Sequence, residues 1–169
     1  PDRWTRAALS TALPTHVAPL LTALLDAPAT RAERPDPNTL ALVSELATIL
    51  GASQRPDDIS AIIDRVTDET VTSSAPARET ALLGLARGLG RRGAALVAFV
   101  AKLDGGTGKV DRLRQMFARL RKEVADAAVS ESAGAEKITL LSHDRSDETV
   151  TILLDLLAKS PSQRIRMAA

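Results

Sequence analysis

The stretch Gly105-Gly106-Thr107-Gly108-Lys109-Val110 has the residue types of a phosphate-binding loop, with glycine-freed backbone N–H groups and a lysine to meet the anion. That chemistry also needs a glycine five positions before Gly108 and a hydroxyl directly after the lysine to hold magnesium. Leu103 and Val110 occupy those two places, so the segment reads as a flexible loop between helices. The two histidines, His16 and His143, are far apart in sequence, and with no cysteine in the chain they complete no transition-metal set. His143-Asp144 has the composition of part of a hydrolase dyad, yet no serine sits in a recognisable triad motif, and the pair reads as a surface turn. The sequence therefore assigns no catalytic, metal or cofactor-binding residue and predicts a segment that is not an enzyme.

Two basic clusters are the remaining chemistry. Arg112, Arg114, Arg119, Arg121 and Lys122 lie on a segment opened by Lys109, against Asp111 alone; Arg87, Arg91 and Arg92 form a smaller group. Their residue type suits phosphate or an acidic protein partner. On a helical wheel Arg114 and Arg121 flank one side of an apolar stripe, and Arg112 and Arg119 the other. That is how long side chains cover core edges with their stems while the charged heads stay wet. No aromatic residues are interleaved for base stacking. The smaller cluster has a simpler role available as positive charge at a helix C-terminus. These eight residues are the candidate interaction surface, with protein the expected partner and nucleic acid the rival.

The elements that must carry them are helices. Hydrophobic residues make up 44% of the 169 residues and charged residues 25%, enough to fold around a core. Trp4, Phe99 and Phe117 are the only aromatics, so that core must be Leu, Ala, Val and Ile. The net charge of +1 gives no global field for nucleic acid or an anionic membrane. No run of about 18 apolar residues exists to span a bilayer, and no signal peptide is visible.

Asp2 caps a short helix through Trp4, Ala8, Leu9 and Leu13; Thr15 caps the next, whose stripe is Val17, Leu20, Leu21, Leu24 and Leu25. Residues 28–37 read as a loop. Asn38 or Thr39 starts a helix of Leu40, Val43, Leu46, Ala47 and Leu50, closed by Gly51 as a C-terminal cap. Pro56 opens another with Asp57 and Asp58 in its first turn and Ile59, Ile62, Ile63 and Val66 inside. Pro76 opens a fifth through Leu82, Leu83, Leu85, Ala86 and Leu89, in which Gly84 and Gly88 share one face and could admit a close neighbour. Gly90 and Gly93 are stop signals. Residues 94–103 are apolar. Val110, Leu113, Phe117, Leu120 and Val124 then mark the clearest amphipathic helix, broken over residues 130–134. One helix of Ile138, Leu140 and Leu141 follows, then one of Val150, Leu153, Leu154 and Leu157. Asp-Glu-Thr-Val-Thr occurs at 68–72 and 147–151, ending one helix and beginning another, and is a coincidence rather than a repeat mark.

Arg6 and Arg166 lie 160 positions apart, four steps of about 40 residues, with helix pairs filling the interval. Short connections make neighbouring helices antiparallel, and one hairpin cannot bury its apolar face alone. Trp4-Thr5-Arg6-Ala7-Ala8 and Arg164-Ile165-Arg166-Met167-Ala168 resemble the start of the second helix of HEAT repeats. Asp26 and Asp64 resemble the acidic members of the Asp–Arg ladder between such repeats, although Lys159 stands where the last unit wants the acid. The resemblance implies an all-α fold, a right-handed HEAT-like alpha-solenoid of about four antiparallel helix hairpins. Residues 1–169 form one domain, with units at 1–13 (partial), 15–51, 56–90, 94–142 and 146–169 (partial).

More narrowly, Asp2-Arg3-Trp4-Thr5-Arg6, Leu46-Ala47-Thr48-Ile49-Leu50-Gly51-Ala52 and Leu82-Leu83-Gly84-Leu85-Ala86-Arg87-Gly88-Leu89 are similar to the helical part of large bacterial haem-binding, membrane-bound dehydrogenase-like proteins. There a propeller precedes the HEAT region and a c-type cytochrome module follows it. The resemblance implies a scaffold or spacer in an exported or periplasmic protein, with every haem and catalytic residue outside this segment. Pro1-Asp2 without a methionine, and a helical pattern still open after Met167, predict a piece of a longer chain. Exposed solenoid ends would permit self-association.

Overall fold

The structure, a computed structural model, describes residues 16–68, 70, 73–105, 108–125 and 131–159. Thr15, Trp4, Arg6 and the closing Arg164–Ala168 segment lie outside them. The described residues form nine helices and no strand: α1 Val17–Asp26, α2 Pro28–Arg31, α3 Pro37–Ser53, α4 Pro56–Thr67, α5 Ala75–Gly90, α6 Leu96–Leu103, α7 Lys109–Ala125, α8 Glu131–Leu141 and α9 Asp147–Lys159. The chain divides into two compact units, residues 1–105 and 106–169.

In the first unit the helix starts follow local chemistry. Proline fixes the first turns of α3, α4 and α5, where its missing N–H costs nothing. Asp36 caps α3 by accepting from the Thr39 N–H at 3.1 Å, so the helix begins one residue before the predicted Asn38. The predicted 28–37 loop contains a turn of helix, α2, organised by Thr30. Its fully buried hydroxyl lies within 3.0 Å of the Leu24, Leu25 and Ala27 carbonyl oxygens, while its own carbonyl accepts from the Ser74 N–H at 2.8 Å. A polar residue is thus buried with its hydrogen bonds made, and it ties α2 to the start of α5.

Gly51 does not end α3. The helix runs on to Ser53, and Gln54 takes the left-handed cap conformation at φ 53°. The reason Gly51 is glycine is proximity: a Cβ there would overlap the Leu85 carbonyl oxygen of α5. A Cβ at Gly84 would sit 2.7 Å from the Ala47 Cβ and the Ser44 carbonyl oxygen, and one at Gly88 would overlap the Thr48 carbonyl oxygen. Contacts advance together along both helices, from Ser44 and Ala47 opposite Gly84 to Thr48 and Ala52 opposite Gly88. α3 and α5 therefore run parallel with their backbones touching. α4, joined to α3 through Gln54 and Arg55 only, returns between them in sequence and packs on both. Six consecutive residues of α5, Ala81 to Ala86, are buried, as expected of a helix covered on every side by α3, α4 and α6.

The second unit is built differently. The predicted stripe of α7 is buried in full, with Phe117 completely enclosed, against α8 and its Ile138, Leu140 and Leu141. Gly134, expected in a break, is buried inside α8. α9 reverses the expected face. Val150, Leu154 and Leu157 are exposed at 47%, 60% and 48%, while Thr149 is buried and Ile152, Leu153 and Leu156 are half-buried. Hydrophobicity alone marks this helix as amphipathic, but a polar anchor, not the leucine stripe, orients it.

Candidate interaction surface

That anchor is Arg121. On α7 it points at the turn before α9, where its Nη1 donates to Asp144 Oδ2 at 2.7 Å and lies 3.2 Å from Thr149 Oγ1; its Nη2 meets Glu148 Oε2 at 3.3 Å. Asp144 Oδ2 also accepts from the Ser146 and Thr149 hydroxyls, each at 2.5 Å, and Ser146 Oγ accepts from the Thr149 N–H at the start of α9. The turn that aims Asp144 inward contains Arg145 at φ 54°, a left-handed conformation uncommon for a side-chain-bearing residue. Only 17% of the Arg121 side chain and 6% of the Asp144 side chain are exposed. Neither expectation survives: Arg121 is not a solvated flank, and His143-Asp144 is not merely a surface turn. Burial of a charge-assisted network holds α9 to α7. Ser146-x-x-Thr149 directly after Asp144 was the available signal, a hydroxyl cap beside a carboxylate.

The other arginines of α7 and Lys122 are less enclosed. Arg114, Arg119 and Lys122 are exposed and Arg112 is half-buried; Arg114 pairs with Asp111 at 3.3 Å, one turn away and in water. An ion pair so exposed contributes little. Lys137 of α8 pairs with the exposed Glu123 of α7.

In the first unit Arg87, Arg91 and Arg92 are exposed at the end of α5. Arg92 Nε donates to the Ala52 carbonyl oxygen at 3.2 Å, satisfying an open carbonyl at the end of α3. This bond exists because the two helices are parallel and finish side by side. Sequence places the cluster at a helix C-terminus correctly, but its contact is with the neighbouring helix rather than its own. The Asp26 carboxylate pairs with Arg65, connecting the ends of α1 and α4.

The glycine-rich segment is described only in part. Gly106 and Thr107 lie outside the described residues, and Lys109 is 93% enclosed at the start of α7 with 7% exposure. Among the described residues no three His, Asp or Glu side chains gather as a metal set, and no helix is long and apolar enough to cross a membrane. Comparison with protein-family models, curated proteins and solved structures finds no match to this chain.

Proposed function

We propose that the chain is a non-catalytic helical-repeat scaffold of HEAT-like solenoid type, working by presenting surface to other protein modules. The carrying observation is the parallel backbone contact of α3 and α5, with α4 returning between them in sequence. Stacked two-helix repeats bring equivalent helices together in this way, each hairpin burying what its neighbour leaves open. The Asp26–Arg65 pair supports the same reading, since its members are 39 residues apart, one repeat step, on α1 and α4.

The nucleic-acid alternative needs cations free to meet phosphates. Arg121 is buried against Asp144, which removes it from any such surface and leaves that reading with less support than a protein partner. The experiment is retention on the immobilised chain from an extract of the source cells. A protein recovered in stoichiometric amount and displaced by free chain is the expected result. Retention that vanishes on nuclease treatment, or turnover of a small molecule by the purified chain, would overturn the reading.

We further propose that the parent is an exported bacterial haem-binding dehydrogenase-like protein, in which this segment separates a propeller from a c-type cytochrome module. Its support is the three sequence segments, two of which, 46–52 and 82–89, form the α3–α5 contact. Sequencing the parent gene tests it. A following Cys-x-x-Cys-His and preceding propeller repeats are expected, and the absence of both would end the proposal.

A further inference from the structure

Several described arginines hold a carboxylate, as Arg55 does Asp58 at 3.0 Å, Arg65 Asp26, Arg114 Asp111 and Arg121 Asp144. Arg87 and Arg91 do not. They sit four residues apart, Arg91 being the helical C-cap residue of α5 whose N–H meets the Arg87 carbonyl, so the two exposed side chains are neighbours, and like charges at that spacing repel. Arg92 is fixed beside them by its bond to Ala52. The turn that carries the last two is Gly90-Arg91-Arg92-Gly93, and neither glycine has another atom within 4 Å of where a Cβ would be. Three exposed arginines thus lie on or beside a turn whose glycines leave open space for an approaching chain.

We propose that this end of α5 docks an acidic protein segment, a short run of Asp or Glu whose carboxylates meet Arg87, Arg91 and Arg92. The guanidinium is a planar fork that matches a carboxylate bidentately. The cluster is compact and ends one helix, whereas a duplex surface would extend as a basic track along the phosphates and a single-strand surface would add exposed aromatic platforms. Phe117 is fully buried and Phe99 half-buried, so neither offers one. The proposal rests on the protein-interaction reading above and gives that partner a chemistry.

The test titrates the full 169-residue chain with octaglutamate, and separately with a short DNA duplex, at low and physiological salt. Octaglutamate is expected to bind, and Arg87→Gln with Arg91→Gln to weaken it about tenfold or more with the helical circular dichroism unchanged. An Arg114→Gln, Lys122→Gln pair on α7 should leave the affinity as it was. No binding at low salt, equal loss in the α7 pair, or tighter binding of the duplex through Arg87 and Arg91 would each overturn the proposal. If octaglutamate fails while the extract still yields a protein partner, only this surface is wrong. Loss of that partner with octaglutamate binding intact would instead count against the scaffold reading.

Discussion

α5 in the first unit and α7 in the second are almost the same length, 16 and 17 residues, but they are covered by different means. α5 is buried on every side from Ala81 to Ala86, and Gly84 and Gly88, with Gly51 opposite, let its backbone rest on that of α3. α7 keeps one apolar stripe, fills the gap to its neighbours with Phe117, and secures α9 through the Arg121–Asp144 network. Close approach gains dispersion contacts along the facing backbones, from Ser44 to Ala52 and from Gly84 to Leu89, without fixing long side chains, whose lost rotamers would oppose folding. The bulky-stripe solution gains apolar area per residue, and the polar latch adds direction that leucine cannot supply.

Substitutions sharpen this contrast. The largest effect belongs to the stripe: Phe117→Ala should cost about 3–5 kcal/mol in urea unfolding, from lost area plus the cavity left behind. Next comes the glycine seam. Gly88→Ala adds one carbon where the Thr48 carbonyl already stands, and the helices must separate. A loss of about 2–3 kcal/mol, with faster amide exchange in α3 and α5, is expected; an unchanged melting curve would refute the backbone contact. Asp144→Ala leaves Arg121 only the exposed Glu148 as a carboxylate partner and removes the acceptor of two hydroxyls, costing about 1–3 kcal/mol. Exchange protection at the start of α9 should fall with it. Gly90→Ala, at an open position with ordinary backbone angles, should stabilise by about 0.5–1 kcal/mol, the opposite sign to Gly88. Leu154→Ala, on the exposed face of α9, should fall within about 0.5 kcal/mol of the parent. A larger loss would mean that this face is covered in solution.

Helix content and most of the core were legible because apolar spacing on α4 and α7 is periodic and proline marks the starts. Gly84 and Gly88 were legible as a contact face for the same geometric reason. Gly51 was misread, because a glycine near a helix end looks like a cap until the neighbour that needs its missing side chain is known. The exposed leucines of α9 were misread because periodicity reports that a helix has two faces, not which one finds a partner. Arg121 escaped since its partner lies 23 residues away in a turn. One signal was used only in part: beyond Asp26 and Asp64, Asp104 and Asp144 continue the series at steps of 38, 40 and 40 residues, near the ends of α1, α4, α6 and α8.

The α3–α5 seam has a mechanical corollary. Ordinary helix pairs meet through flexible side chains, which act as springs and absorb a small push by changing rotamer. Here main chain bears on main chain, and there is no cushion to compress. A displacement of α5 by a few tenths of an ångström is handed on to α3 almost undiminished. The two helices bend and shift as one double-width beam.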